Sequence, residues 1–186
     1  MRRLPLPLLF ACWLVSSACG QDTGPDGQVD GYSLLKNASP LVGWVSFEEG
    51  LARADSSGKK VLVDIFSPTC GWCRKMQQEA YTSTDVLDYI DTHFETVRLD
   101  IDVLDDSLSY KDMRLSSGHL AYGFGATGTP TTVFLTPTGD YITRLPGYAP
   151  TNDFLVVLKY IATDAYLNQS FEDFVAAEGG TPSSGQ

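Results

Sequence analysis

The chain has 186 residues, 43% of them hydrophobic and 19% charged, with a formal net charge of −10. That length suits one well-cored domain with extensions and is short for two. No basic run interleaved with aromatics occurs, and phosphate binding needs clustered Lys and Arg, so nucleic acid is excluded as a partner.

Met1-Arg2-Arg3 is a small positive n-region, and Leu4 to Val15 is an apolar stretch too short to span a bilayer comfortably. Ser16-Ser17-Ala18 then supplies small residues before Cys19. Residues 1–18 therefore read as a secretory signal, and the mature protein is expected outside the cytoplasm, in a periplasmic or other extracytoplasmic space. Pro5 and Pro7 oppose the alternative of a buried N-terminal helix. Cys12 is lost with the signal, which leaves Cys19, Cys70 and Cys73, and an odd cysteine in an exported protein calls for an explanation. The segment Val15–Gly20 resembles a bacterial lipobox, whose cysteine becomes the acylated first residue of a lipoprotein, although Ser16 stands where that motif usually has Leu. Lipidation of Cys19 would anchor the protein to a membrane; ordinary cleavage after Ala18 would instead leave a stray thiol.

Residues 19–39, rich in Gly, Asp, Gln and Ser, read as a flexible tether reaching roughly 25 Å as a random coil. A folded domain is expected over 40–168, followed by a short helix capped by Ser170 and a disordered tail within 169–186. Ser46-Phe47-Glu48-Glu49 is a capping-box pattern opening a helix to about Asp55, ended by Ser56-Ser57-Gly58. Val61 to Phe66 is a short apolar run typical of a buried strand, followed by Cys70-Gly71-Trp72-Cys73 and a helix to about Tyr81. A second helix is expected over Thr84 to Phe94, with a strand at Thr96 to Asp102. Residues 105–123 suggest a helix and a loop, Thr131–Leu135 and Tyr141–Leu145 a hairpin, and Asn152 to about Tyr166 a closing helix. The order α-β-α-α-β-α-β-β-α gives an α/β fold, a mixed sheet with helices on both faces.

The cysteine pair carries the chemistry. Cys70 falls at a helix start, where free N–H groups and the helix dipole favour the thiolate. A thiolate attacks disulfides, and a second thiol one turn away can displace it from the mixed disulfide. Asp64 lies within the apolar strand, where desolvation raises its affinity for a proton and suits it to accept one from Cys73. The alternative is a solvated acid or one paired with Arg98. Zinc would need two further ligands, and His93 and His119 read as ordinary surface or capping residues, so neither metal nor cofactor is expected. A structural role for a bridge closing so small a loop is disfavoured, because it adds little stability. The sequons at Asn37 and Asn168 matter only in a eukaryotic secretory host.

A strand, CxxC at a helix start, a βα unit, then Gly128-Thr129-Pro130-Thr131 leading into a hairpin and a last helix resembles the thioredoxin fold over roughly residues 40–165. The resemblance implies a cis Pro130 beside the cysteines, with the backbone of Thr129 pairing bound substrate. It also implies that Asp64 is the buried acid beneath Cys73, that Arg98 stands where thioredoxins often have Lys, and that Gly147 follows the hairpin. Thr69 replaces the usual Trp and Gly71-Trp72 the usual Gly-Pro, so Trp72 is expected to offer an aromatic face for docking. The pattern is similar to exported bacterial thiol–disulfide oxidoreductases. It implies catalysis by Cys70, Cys73 and Asp64, substrate contacts at Trp72, Thr129 and Pro130, protein thiol or disulfide substrates, and a membrane electron donor if the protein works as a reductase. The rival expectation is a tethered adaptor or chaperone module without redox turnover.

Overall fold

The computed structural model describes residues 41–178. The expected signal, the tether with Cys19, and the tail from residue 179 lie outside the described residues.

Strand β1 (Lys60–Phe66) is the centre of a four-stranded sheet of order β2-β1-β5-β6. β2 (Phe94–Asp100) runs parallel to it, whereas β5 (Thr131–Leu135) and β6 (Tyr141–Pro146) run antiparallel to their neighbours. A strand covered on both faces has no polar side to alternate with, and β1 is accordingly an almost unbroken apolar run in which every residue after Lys60 is buried. Asp64 is the exception in that run.

Helix α1 (Phe47–Ser57) starts where Ser46 accepts from the Glu49 N–H, and ends at Gly58, whose φ of 74° closes the helix in the left-handed region. It packs Phe47 and Ala54 onto one sheet face with Val61, Val63, Ile65, Val97 and Val133. Gly50 gives the closest approach: a Cβ there would overlap the Val97 side chain. Helix α2 (Gly71–Glu79), a 3-10 turn (Ala80–Thr82) and helix α3 (Thr84–His93) lead from β1 to β2. With α5 (Thr151–Ala162) they cover the opposite face, where Leu62, Met76, Tyr81, Ile90, Phe134, Phe154 and Leu158 form a second core. The sheet thus separates two apolar layers, as the α/β expectation required.

Residues 105–123 depart from expectation. The helix is there as α4 (Ser117–Gly123), but a small hairpin precedes it, β3 (Leu108–Tyr110) with β4 (Met113–Leu115). Lys111 occupies the turn at φ 53°, so neither Gly nor Asn marks it in the sequence. The strand expected to reach Asp102 ends at Asp100, and the closing helix stops at Ala162 before a 3-10 turn at Ala165–Leu167. The short C-terminal helix α6 (Phe171–Ala177) forms behind Ser170 and packs Phe171 and Phe174 against Tyr160 of α5.

Candidate active site

Two internal loop segments meet beside the C-terminal end of β1. The chain leaving the strand runs through Ser67-Pro68-Thr69 to Cys70. Because β5 pairs antiparallel with β1, Ile65 opposite Thr131, the residues just before β5 are delivered to the same place. Thr129 and Pro130 are those residues, and the bond between them is cis. Register therefore brings Cys70 Sγ within 3.4 Å of the Thr129 carbonyl oxygen across 59 positions of sequence. Gly147, at φ 80°, donates its N–H to the Pro130 carbonyl at 2.8 Å and ties the end of the β6 hairpin to the same spot.

Cys70 is the N-cap of α2, and its Sγ accepts the Cys73 N–H at 3.0 Å. A helix N-terminal N–H donating to sulfur stabilises negative charge there. Cys73, one turn in, is buried, whereas Cys70 is half-buried; the two are joined as a disulfide with Cα atoms 5.2 Å apart. Of the two sulfur-bearing residues, Cys70 is the more accessible from outside.

Within the sheet, one row carries polar side chains. Arg98 of β2 and Thr132 of β5 stand on either side of Asp64 in register. Arg98 Nε lies 3.0 Å from Asp64 Oδ2, both side chains under 10% exposed, and the Tyr81 hydroxyl donates to Asp64 Oδ1 at 3.5 Å. Arg98 also donates to Gln77 Oε1 at 2.7 Å, and its guanidinium lies over the rings of Phe66 (4.2 Å) and Trp44 (5.3 Å). Burial pushes the Asp64 carboxyl above its usual range, while the Arg98 charge and hydrogen bond pull it back. Burial and the neighbouring carboxylate hold the Tyr81 hydroxyl well above an ordinary phenol. Both elements of the expectation thus coexist, an acid desolvated in the sheet and an acid paired with Arg98.

Trp72 is 58% exposed at the rim, and the structure gives it company that sequence reasoning missed. Tyr148, just after Gly147, stacks near it with ring centroids 5.5 Å apart, and Lys75 places its ammonium 5.2 Å from one ring centre and 4.7 Å from the other. The Tyr148 hydroxyl donates to Glu79, which pushes that phenol up to about 12. The i,i+3 spacing of Trp72 and Lys75 was a readable signal; Tyr148 was not, because its place depends on where the β6 hairpin returns. Gln77 was also readable, since it interrupts the buried stripe Cys73-Met76-Gln77-Ala80 at helical spacing.

The histidines take no part in this site. His93 packs on Tyr89 at 4.4 Å, and His119 lies 2.7 Å from the capping hydroxyl of Ser116. Among the described residues no group of three or more His, Cys, Asp or Glu is placed to hold a metal ion.

The fold and the close cysteine pair define a thioredoxin-like protein with a CxxC disulfide at a helix start. The Thioredoxin-like domain family matches residues 47–162, more than half of the chain, and the chain belongs to that family. It is similar to an uncharacterised protein of Caenorhabditis elegans, 25% identical over 146 residues, covering 74% of this chain and 19% of that protein. It is also similar to the thiol:disulfide interchange protein DsbD of Pseudoalteromonas atlantica, 28% identical over 119 residues, covering 62% of this chain and 18% of that protein. The chain therefore spans about a fifth of the length of these curated relatives. A thioredoxin-fold protein from Helicobacter pylori superposes with a TM-score of 0.57 at 24% identity, covering 79% of this chain and 91% of that one, which bears on the fold.

Proposed function

We propose that this chain is an exported thiol–disulfide oxidoreductase acting chiefly as a reductase of protein disulfides. The observation that carries the reading is the asymmetry of the pair: a half-buried Cys70 capping a helix against the Thr129 carbonyl, with Cys73 buried behind it. In the dithiol form, the Cys70 thiolate attacks a substrate disulfide, forming a mixed disulfide and releasing one substrate thiolate. Cys73 gives up its proton, for which Asp64 is the proposed acceptor, and attacks Cys70 Sγ. The second substrate sulfur leaves, two electrons have passed to the substrate, and the Cys70–Cys73 disulfide remains. A dithiol donor on the membrane side returns it to the reduced state.

Trp72 and the Thr129-Pro130 segment are the proposed substrate contacts, the first by its exposed ring and the second by backbone pairing. Export and acylation of Cys19 belong to the same reading and rest on the charged n-region, the apolar stretch and the small residues before that cysteine. Among the described residues no helix is long and apolar enough to cross a membrane, so in this reading the lipid provides attachment.

Insulin reduction by dithiothreitol tests the activity: the protein accelerates it and Cys70→Ser does not, whereas equal rates sink the enzyme reading. The reduction potential tests the direction. A value near about −270 mV fits a reductase, and one near about −120 mV makes the protein an oxidant.

A further inference from the structure

The loop that delivers the nucleophile is held by a relay that the family resemblance does not supply. Ser67 Oγ lies 2.6 Å from Asp102 Oδ2 and 3.0 Å from Thr69 Oγ1, and it accepts the Thr69 N–H at 3.3 Å. Donor counting fixes the direction of this chain. A carboxylate can only accept, so the single Ser67 proton goes to Asp102. The Thr69 hydroxyl must then donate to Ser67, and its proton is committed away from the adjacent cysteine. Ser67 also accepts through its carbonyl from the Cys70 N–H at 3.1 Å. Asp102 is itself set by the turn leaving β2, where its N–H donates to Asp100 Oδ1 at 3.0 Å. From the other side, Arg74 reaches the same loop by donating to the Pro68 carbonyl at 3.4 Å.

We propose that Asp102 and Ser67 are positioning residues for Cys70, a carboxylate–hydroxyl–hydroxyl relay that makes its thiolate less favourable than the helix N-terminus alone would make it. This rests on the reading of Cys70 as the attacking sulfur. Two effects act in the same direction. The relay keeps a negative charge two hydrogen bonds from the residue preceding Cys70, and it commits that residue's hydroxyl proton to Ser67. A less stable thiolate means a less stable reduced form only through its charged fraction, and that shifts the couple toward the reducing side, the inverse of the strongly oxidising members of the fold. Asp102 is exposed, so solvent screens its charge and the effect is moderate.

The test uses Asp102→Asn, which keeps an acceptor for Ser67 while removing the charge, together with Ser67→Ala and Ser67→Thr. Two quantities are read: the equilibrium constant of the Cys70–Cys73 couple against glutathione, and the alkylation rate of Cys70 by iodoacetamide at neutral pH. Asp102→Asn and Ser67→Ala are expected to make the couple more oxidising by about three- to fivefold in that constant and to speed alkylation by a similar factor, while Ser67→Thr stays near wild type. Far-ultraviolet circular dichroism checks that each variant is folded. An unchanged constant and rate for a folded Asp102→Asn, or a shift toward the reducing side, overturns the proposal. Insulin turnover by wild type against Cys70→Ser judges the enzyme reading separately, because the equilibrium constants are measurable whether or not the protein turns over.

Discussion

At the scale of single residues, the Asp64–Arg98 pair decides most. An isolated carboxylate in the sheet interior would be driven neutral; the Arg98 guanidinium opposes that, and Gln77 and the rings of Phe66 and Trp44 hold the guanidinium in place. Asp64 nevertheless sits above its ordinary value of 3.8, because desolvation is the larger influence. Its folded form therefore holds the proton more tightly than its unfolded form. The stability linked to this group is fully present below 3.8 and is lost as pH rises through the raised folded value. Urea unfolding of wild type and Asp64→Asn from about pH 4 to pH 8 should show the stability of wild type relative to the variant falling with pH and then levelling. A difference that rises with pH instead would mean that Arg98 outweighs burial. Trp72 calls for a kinetic test. Trp72→Ala should raise KM for a protein disulfide several-fold and leave a small-molecule disulfide unaffected, since only a large partner reaches the rim; equal effects on both would remove Trp72 from substrate docking.

The elements show where sequence was legible and where it was not. β1, β5 and the capped start of α1 could be read from apolar runs and a capping box because each obeys a local rule. The β3–β4 hairpin could not: its strands are three residues long and its turn uses Lys111 at positive φ. Cys70 and Cys73 were legible from their spacing at a helix start, whereas Thr129 and Pro130 came with the thioredoxin resemblance; strand register is the physical reason they lie beside Cys70. The relay through Ser67 to Asp102 and the pairing of Tyr148 with Trp72 depend on how separate loops return, and spacing along the chain carries no trace of that. α1 offers a stability test. Gly50 faces Val97, and Gly50→Ala inserts a methyl where the helix lies against β2, costing about 1–3 kcal/mol in chemical denaturation. A neutral result would mean that α1 slides freely on the sheet.

Taken as a whole, the molecule is a sheet between two apolar layers with the Cys70–Cys73 pair just past the end of β1. The antiparallel addition of β5 is what makes this a site, because it carries Thr129-Pro130 to Cys70. Neither core depends on the disulfide, since Cys73 and Phe66 form a small cluster of their own with Cys70 beside it. Both layers are therefore expected to stay intact when the bridge is reduced, which near-ultraviolet circular dichroism of the oxidised and dithiothreitol-reduced protein checks. The most direct test of the division of labour is to mix Cys73→Ala and, separately, Cys70→Ala with a peptide disulfide and quantify mixed disulfides by mass spectrometry. Cys73→Ala should accumulate the adduct on Cys70, and Cys70→Ala should form almost none. Equal trapping by the two variants, or adducts confined to Cys73, would contradict the assignment of Cys70 as the attacking sulfur.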